Sequence, residues 1–329
     1  MRRYRAAIIG CGRIGCDCGD PAIGSSRLTT HAAAYRALDR TELVALCDID
    51  EPRLSQAGQR YGITRLYRDH RALIESERPD LISICTPADD HAPVLRDIVE
   101  HGAVAAVLLE KPVAASLAAA RELARDVSGS GIPVAVNYIR RFVPVYRQLV
   151  ADIRSGGLGR MQHISGLYGK GIFNNGTHLL DLLRWMFGDP STVTGTAIVS
   201  GGCDPTMDLR ITWEGGCDAW VRGTDSEAYN VFELDLVGTA GRVRLTDIGH
   251  RLERQGVDGT SFGFRQLSAA ADIQQTGLQD GIPAAIANLI DCIERGAQPA
   301  CTLDDGCAAL DLATTATTHA VETLPMRSF

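Results

Sequence analysis

Up to about residue 140 the apolar positions come in short unbroken runs, AAIIG, LVALCD, LISICTP, AAVLLEKP and VAVNY, each followed by a turn or a polar cluster. Strands buried on both faces of a parallel sheet look like this, because neither face meets water. Between the runs, PRLSQAGQRYG, APVLRDIVEHG and SLAAARELARDVSGSG carry apolar residues at helical spacing and end in glycine, the usual helix stop. The alternation predicts repeated βαβ units over residues 1–137, a doubly wound α/β domain with a parallel sheet. Beyond that the period changes. MDLRITWEGGCDAWVRG and NVFELDLVGTAGRVRLTD alternate at a period near two and are broken by glycine turns, which predicts antiparallel strands with one solvated face. A second, sheet-rich domain is therefore expected over residues 138–329. The helical segments GIPAAIANLIDCIERG and DDGCAALDLATTATTHAVETL are expected to flank its sheet.

Composition narrows the function without naming it. The chain of 329 residues is 45% hydrophobic and 22% charged, as for an ordinary globular protein of about two domains. A net charge of -7 and a pI near 5.6 exclude a general nucleic-acid surface, whose affinity needs clustered positive charge. No apolar stretch is long enough for a membrane span, and MRRYRAAIIGCGRIG meets glycines where a signal peptide needs a longer apolar core, so a cytoplasmic location is expected. Among the ten cysteines, Cys47 and Cys85 end apolar runs, and Cys16 and Cys18 have no second pair at zinc spacing. Reduced, mostly buried thiols and no metal site are expected.

Chemistry enters at GCGRIG, which directly follows the first predicted strand. Gly10 permits a tight turn, Gly12 lets the backbone approach a pyrophosphate, and Gly15 allows close helix packing, with Arg13 and Ile14 inside the same turn. The second strand ends in CDID, where Asp48 can either accept hydrogen bonds from both hydroxyls of an adenosine ribose or cap the next helix. A carboxylate there repels a 2'-phosphate, so NAD is favoured over NADP. The gap from Gly15 to Asp48 is long, and CDCGDPAIGSSRLTTHAAAY fills it as an insertion, either a lid near the pyrophosphate or a surface excursion.

Further motifs follow in register: CTPADDH (Thr86, Pro87, His91), EKP (Glu110, Lys111, Pro112), NYIRRF (Asn137 to Phe142), NNGTHLLDLLRW (Asn174 to Trp185) and GCAALDLATTATTHAV. In order and spacing the chain resembles the Gfo/Idh/MocA oxidoreductases over almost its whole length. The resemblance implies a Rossmann domain joined to an α/β domain with a large open, mostly antiparallel sheet. It also implies a nicotinamide cofactor, hydride transfer at a hydroxyl or ketone of a sugar, sugar nucleotide or cyclitol, and a homodimer or homotetramer assembled through the open sheet.

By that resemblance Lys111 stands beside the nicotinamide, where it can polarise a carbonyl oxygen or help accept a hydroxyl proton. Glu110 then faces the cofactor's ribose, orients the lysine, or forms a simple ion pair with it. His91 either lines the nicotinamide pocket or caps the following helix. Arg140 and Arg141 either receive an anionic group of the substrate or fix the geometry between domains. The family usually has an aspartate four residues before the histidine of NNGTHLL, and here Asn174 holds that place. An amide cannot take a proton, so proton transfer is left to Lys111 and His178, with Asn174 hydrogen-bonding substrate. Gly176 is expected to turn the chain, Asn175 or Thr177 to cap the helix, and Asp181 to orient the His178 ring from one turn away. Tyr168, Lys170 and Asn175 border the same substrate pocket. Two other functions use the same residues: a glycosidase that oxidises its substrate transiently with bound NAD, and a non-catalytic dinucleotide sensor.

Overall fold

The computed structural model describes residues 2–16, 30–199 and 204–318. Most of the expected lid, residues 17–29, lies outside the described residues. The chain divides into two compact units, Met1–Phe142 with Gln279–Cys307, and Val143–Leu278 with Ala308–Phe329. In chain order the elements are β1 (Tyr4–Ile9), α1 (Arg13–Cys16), α2 (His31–Ala37), β2 (Thr41–Cys47), α3 (Glu51–Tyr61), β3 (Leu66–Tyr67), α4 (His70–Glu77), β4 (Leu81–Ile84), α5 (Ala88–His101), β5 (Ala106–Leu109), α6 (Leu117–Val127), β6 (Val134–Val136) and the 3-10 turn Ile139–Phe142. There follow α7 (Pro144–Arg154), β7 (Met161–Tyr168), the π-helical turn Gly171–Gly176, α8 (Thr177–Phe187), β8 (Thr192–Val199), β9 (Thr206–Thr212), β10 (Asp218–Gly223), β11 (Phe232–Gly238) and β12 (Gly241–Thr246). The last elements are β13 (Arg251–Ser261), β14 (Phe264–Leu267), β15 (Asp272–Gln275), α9 (Gly281–Arg295) and α10 (Leu303–Thr318).

In the first unit six strands run parallel in the order β3-β2-β1-β4-β5-β6. Every residue of β4 and β5 is buried, as their unbroken apolar runs require. The strand order reverses at β1, between β2 and β4, so a crevice opens beyond the carboxyl ends of β1 and β4, where such folds place their ligands. Glycine ends two of the expected helices in the left-handed conformation, Gly62 after α3 and Gly102 after α5. α6 instead ends at Ser128 in extended conformation. The two-residue edge strand β3 carries too few residues to show a period and was not expected.

The destination of α9 corrects the sequence expectation. It belongs to the first unit: a Cβ on Gly281 would stand 2.9 Å from Ile139 Cβ, and Glu294 near its end accepts the Tyr4 hydroxyl at 3.1 Å and pairs with Arg40. An apolar helix face reveals that something covers it, not which sheet does.

The second unit holds the sheet β14-β13-β12-β11-β7-β10-β9-β8, with β15 beside β13; β7 and β10 are parallel and the other pairs antiparallel. Burial alternates along β11 and β12, so one face is covered and the other is not. Leu179 of α8 packs on Gly166 of β7, and Ala316 of α10 on Gly195 of β8. The other face carries the cross-strand pairs Arg210–Asp218, Arg222–Asp208 and Arg242–Asp235, beside exposed Trp220 and Leu167.

Candidate active site

Gly10 leaves β1 at φ +99°, and a Cβ there would lie 2.5 Å from the main chain of Cys85. A Cβ on Gly15 would lie 2.1 Å from the carbonyl oxygen of Gly10, so packing demands both glycines. Gly12 differs, since among the described residues nothing lies within 4 Å of its would-be Cβ. It faces open space, as a residue approached by a phosphate must. Asp48 is buried; its Oδ2 accepts the Cys11 N–H at 2.7 Å and its Oδ1 the Asp50 N–H at 2.9 Å. Asp50, not Asp48, caps α3. Oδ1 also accepts from Arg53 at 3.4 Å, whereas Oδ2 keeps a lone pair for a ribose hydroxyl.

Gly10, Gly12 and Asp48 line a cavity of about 680 Å³ together with Arg13, Thr86 and Pro87, while Gly15 stands outside the lining. Ile14 is exposed on α1, outside that lining. Thr86 Oγ1 is buried without a partner among the described residues. An orphaned hydroxyl, an open glycine and a buried carboxylate in one cavity suit a dinucleotide. Arg53, Arg68 and His70 also line it. Nothing in their spacing along the chain marks a surface cation as cavity-facing. Burial raises the thiol of Cys47 to about 12 and that of Cys85 well above the ordinary range, so both stay protonated.

At the end of β5, Glu110 is buried. Its Oε1 accepts from Asn137 Nδ2 at 2.6 Å and lies 2.9 Å from His31 Nε2, while its Oε2 accepts the Lys111 backbone N–H at 3.2 Å. Burial works to raise its pKa, but hydrogen bonding and charge from His31, the Asn137 amide and the Lys111 charge outweigh that and hold the carboxyl below its usual range. Lys111 is half-buried. Of the 33 lysines and arginines in the chain only Lys111 and Lys170 are lysines. Arginine holds its proton at any working pH, so these two are the basic side chains suited to giving one up.

Two expected ligands in this unit are struts. His91, expected at the nicotinamide or as a helix cap, lies inside α5 almost fully buried, with Nδ1 2.9 Å from the Pro112 carbonyl and Nε2 2.9 Å from that of Thr86. Both ring nitrogens thus face backbone oxygens, and the single N–H of a neutral ring donates to one of them, the Thr86 or the Pro112 carbonyl. Burial lowers its pKa against the pull of those carbonyls. Arg141, expected either at the substrate or fixing geometry between domains through carboxylates, is buried and ion-paired with Asp305 at 3.1 Å.

In the second unit Tyr168 is likewise spent. It is fully buried, and its hydroxyl donates to the Met207 carbonyl at 2.9 Å and accepts the Met207 N–H at 3.0 Å, with burial raising its pKa. Lys170 is exposed at φ +64°, a conformation that a side chain other than glycine, asparagine or aspartate seldom adopts. The residues 171–176 form a π-helical turn that runs straight into α8. Such turns occur frequently at functional sites. Asn174 is exposed and His178 half-buried, with buried Asp181 one turn further on. Asn175 Nδ2 donates to Asn230 Oδ1 at 3.2 Å. No side chain caps α8; Thr177 Oγ1 bonds back to the carbonyls of Phe173 and Asn174. Gly176 has helical φ/ψ, so packing explains it: a Cβ would lie 3.0 Å from the Tyr168 ring. Leu179, Leu182, Leu183 and Met186 are buried, as expected.

A carboxylate does stand at this stretch, but it comes from elsewhere. Asp204, just before β9, accepts the N–H of Phe173 at 2.7 Å and that of Asn174 at 3.1 Å. No short-range pattern joins residue 204 to residue 174.

Comparison with known proteins agrees with this geometry. Residues 4–138 match the family described as "Oxidoreductase family, NAD-binding Rossmann fold". The chain is 30% identical to D-apiose dehydrogenase of Paraburkholderia graminis over 332 residues, spanning 91% of this chain and 83% of that protein. It is 22% identical to myo-inositol 2-dehydrogenase of Thermotoga maritima over 93% of each. Among solved structures, an oxidoreductase from Agrobacterium radiobacter in complex with NAD+, L-tartaric acid and magnesium shares the fold at a TM-score of 0.76 and 24% identity, covering 97% of this chain and 96% of that one. Levoglucosan dehydrogenase in complex with NADH and levoglucosan does so at 0.81 and 16%, covering 97% of both. Since a relative of that identity runs nearly the length of the chain, and the matched segment is the one that builds the dinucleotide cavity, the chain belongs to the Gfo/Idh/MocA family of NAD-binding oxidoreductases.

Proposed function

We propose that the protein is an NAD-dependent dehydrogenase, or in reverse a ketoreductase, acting on a hydroxyl or ketone carbon of a sugar, sugar nucleotide or cyclitol. The observation that carries this reading is Lys111: one of two lysines in the chain, it follows a buried strand and is tied through its N–H to a buried carboxylate, in a family with sugar and inositol dehydrogenases among its members. NAD, when bound along Gly10, Gly12, Asp48 and Thr86, supplies the hydride acceptor. Lys111 and His178 are assigned the proton transfers at the substrate oxygen, and Asn174 a hydrogen bond that orients it. Lys170 and Asn175 are assigned contacts to other substrate hydroxyls. The first unit is the cofactor domain and the second the substrate domain. The open sheet face, where Trp220 and Leu167 stand exposed among arginine–carboxylate pairs, is assigned to assembly as a homodimer or homotetramer. A cytoplasmic location accords with a chain in which, among the described residues, no helix is long and apolar enough to cross a membrane.

A panel of polyols, sugars and sugar nucleotides, offered with NAD, tests the reading by NADH formation, with the copurifying cofactor identified by mass. Cleavage of a glycoside without net NADH would establish the transient-oxidation alternative instead. Tight NAD binding with no turnover on any class would establish the sensor.

A further inference from the structure

Behind Lys111 the first unit buries a polar chain to which the proposed mechanism gives no task. His31 opens α2 and is 0% exposed. Its Nδ1 lies 2.8 Å from Ser83 Oγ on β4, and its Nε2 lies 2.9 Å from Glu110 Oε1. Ser83 Oγ is also 2.9 Å from the hydroxyl of Tyr35, one turn along α2. Ser83 is itself fully buried, so the chain runs from α2 through β4 to the end of β5 without meeting solvent.

The acceptors dictate where the hydrogens sit. Glu110 is held as a carboxylate and has no hydrogen to give, so Nε2 carries one toward it whether the ring is neutral or charged. Nδ1 then faces a hydroxyl able to donate or accept. With Nε2 and Asn137 Nδ2 both on Oε1, the other oxygen is left to the Lys111 main chain. The titratable groups facing the pair are Lys111, His91 of α5, the Cys85 thiol beyond β4, and Tyr35 across Ser83.

We propose that His31 is a positioning residue for Lys111: by holding Oε1 of Glu110 it directs Oε2 to the lysine and shares the negative charge that the lysine would otherwise meet alone. This rests on the role given to Lys111 above. Without the imidazole donor, Glu110 turns more of its charge on the lysine, which then keeps its proton to higher pH. The acid limb of polyol oxidation moves upward as a result.

The scarcity of lysine provides a readout that needs no substrate. Reductive 13C-methylation of the intact protein labels Lys111, Lys170 and the α-amine alone, and comparison with Lys111→Met assigns the Lys111 signal. In His31→Leu the titration of that signal is expected to rise by about half a pH unit or more, while the Lys170 signal stays put. In His31→Gln, whose side-chain amide keeps a donor for Glu110, it returns toward wild type. Turnover should fall about tenfold in His31→Leu and recover in His31→Gln, with NADH affinity, read by fluorescence titration, unchanged in both. If His31→Leu misfolds, Glu110→Gln serves in its place and should move the Lys111 titration down. An unmoved Lys111 signal in a folded His31→Leu, or equal displacement in the Leu and Gln variants, overturns the proposal. A wild type that binds NADH but oxidises no polyol refutes the proposed function instead, and the Lys111 titration still decides the part played by His31.

Discussion

Asp204 Oδ2 accepts the backbone N–H of Asn174 at 3.1 Å, while its Oδ1 takes the neighbouring N–H of Phe173. The first N–H groups of any helical turn lack an internal partner, and here one carboxylate from well downstream satisfies two of them. Gly171 makes room for it, since a Cβ there would lie 2.2 Å from the carboxylate carbon. Asp204→Ala should therefore cost about 1–3 kcal/mol of stability, the scale for stranding a donor of a charge-assisted bond. It should also raise KM for the polyol through a loosened Asn174, and leave NADH affinity alone. Thermal melts and KM both at wild-type values would show that Asp204 does not hold this turn.

Lys111→Met keeps the approximate bulk of the side chain and removes its charge and proton. Turnover should drop by about 100-fold or more, the scale of losing acid–base assistance, with little change in NAD affinity. Near-normal turnover would remove Lys111 from the mechanism.

Asp48 bears on cofactor choice. Its two oxygens already hold the N–H groups of Cys11 and Asp50, and Arg53 stands 3.4 Å from Oδ1. Asp48→Ser removes the charge that repels a 2'-phosphate and leaves the Arg53 guanidinium to receive it. Relative NADP use should rise and NAD efficiency fall. A wild type that already prefers NADP strongly contradicts the assignment.

Asn174 and His178 are separable by kinetics. Asn174→Ala should chiefly weaken substrate binding, whereas His178→Ala should slow the chemical step by about 100-fold or more. Asn174→Asp should stay active with its pH profile shifted upward, because a nearby carboxylate favours the charged imidazole. Equal loss of turnover in the two alanine variants, with binding intact, would end the purely orienting role of the amide.

His91 makes stability depend on pH. Its folded pKa lies below the unfolded value, so above about pH 6.5 the unfolded chain binds no extra proton there and no penalty arises. As pH falls from that value toward the lowered one, the unfolded state takes up a proton that the folded state refuses, and stability declines. The melting temperature should fall between neutral pH and pH of about 5.5 in the wild type, and less steeply in His91→Gln. Parallel slopes would show that His91 stays uncharged in both states or charged in both.

Features set by local rules could be read along the chain. The parallel strands β1, β2, β4, β5 and β6 were legible as unbroken apolar runs, the β9–β10 and β11–β12 hairpins as period-two alternation, and the ends of α3 and α5 as glycines able to enter the left-handed region. GCGRIG with Asp48 was legible because turn, close approach and charge are demands met within a few residues of one βα unit. Tertiary structure alone decided which polar groups remain available. Tyr168, His91 and Arg141 had the right residue types near the right motifs, yet each is buried against a protein partner: the Met207 backbone, the carbonyls of the Thr86 and Pro112 loops, or Asp305. Asp204, His31 and α9 reached their places from distant segments, by contacts that spacing along the chain does not encode. A motif specifies the chemical capacity of a side chain; whether that capacity is already satisfied depends on what else the fold brings within hydrogen-bonding distance.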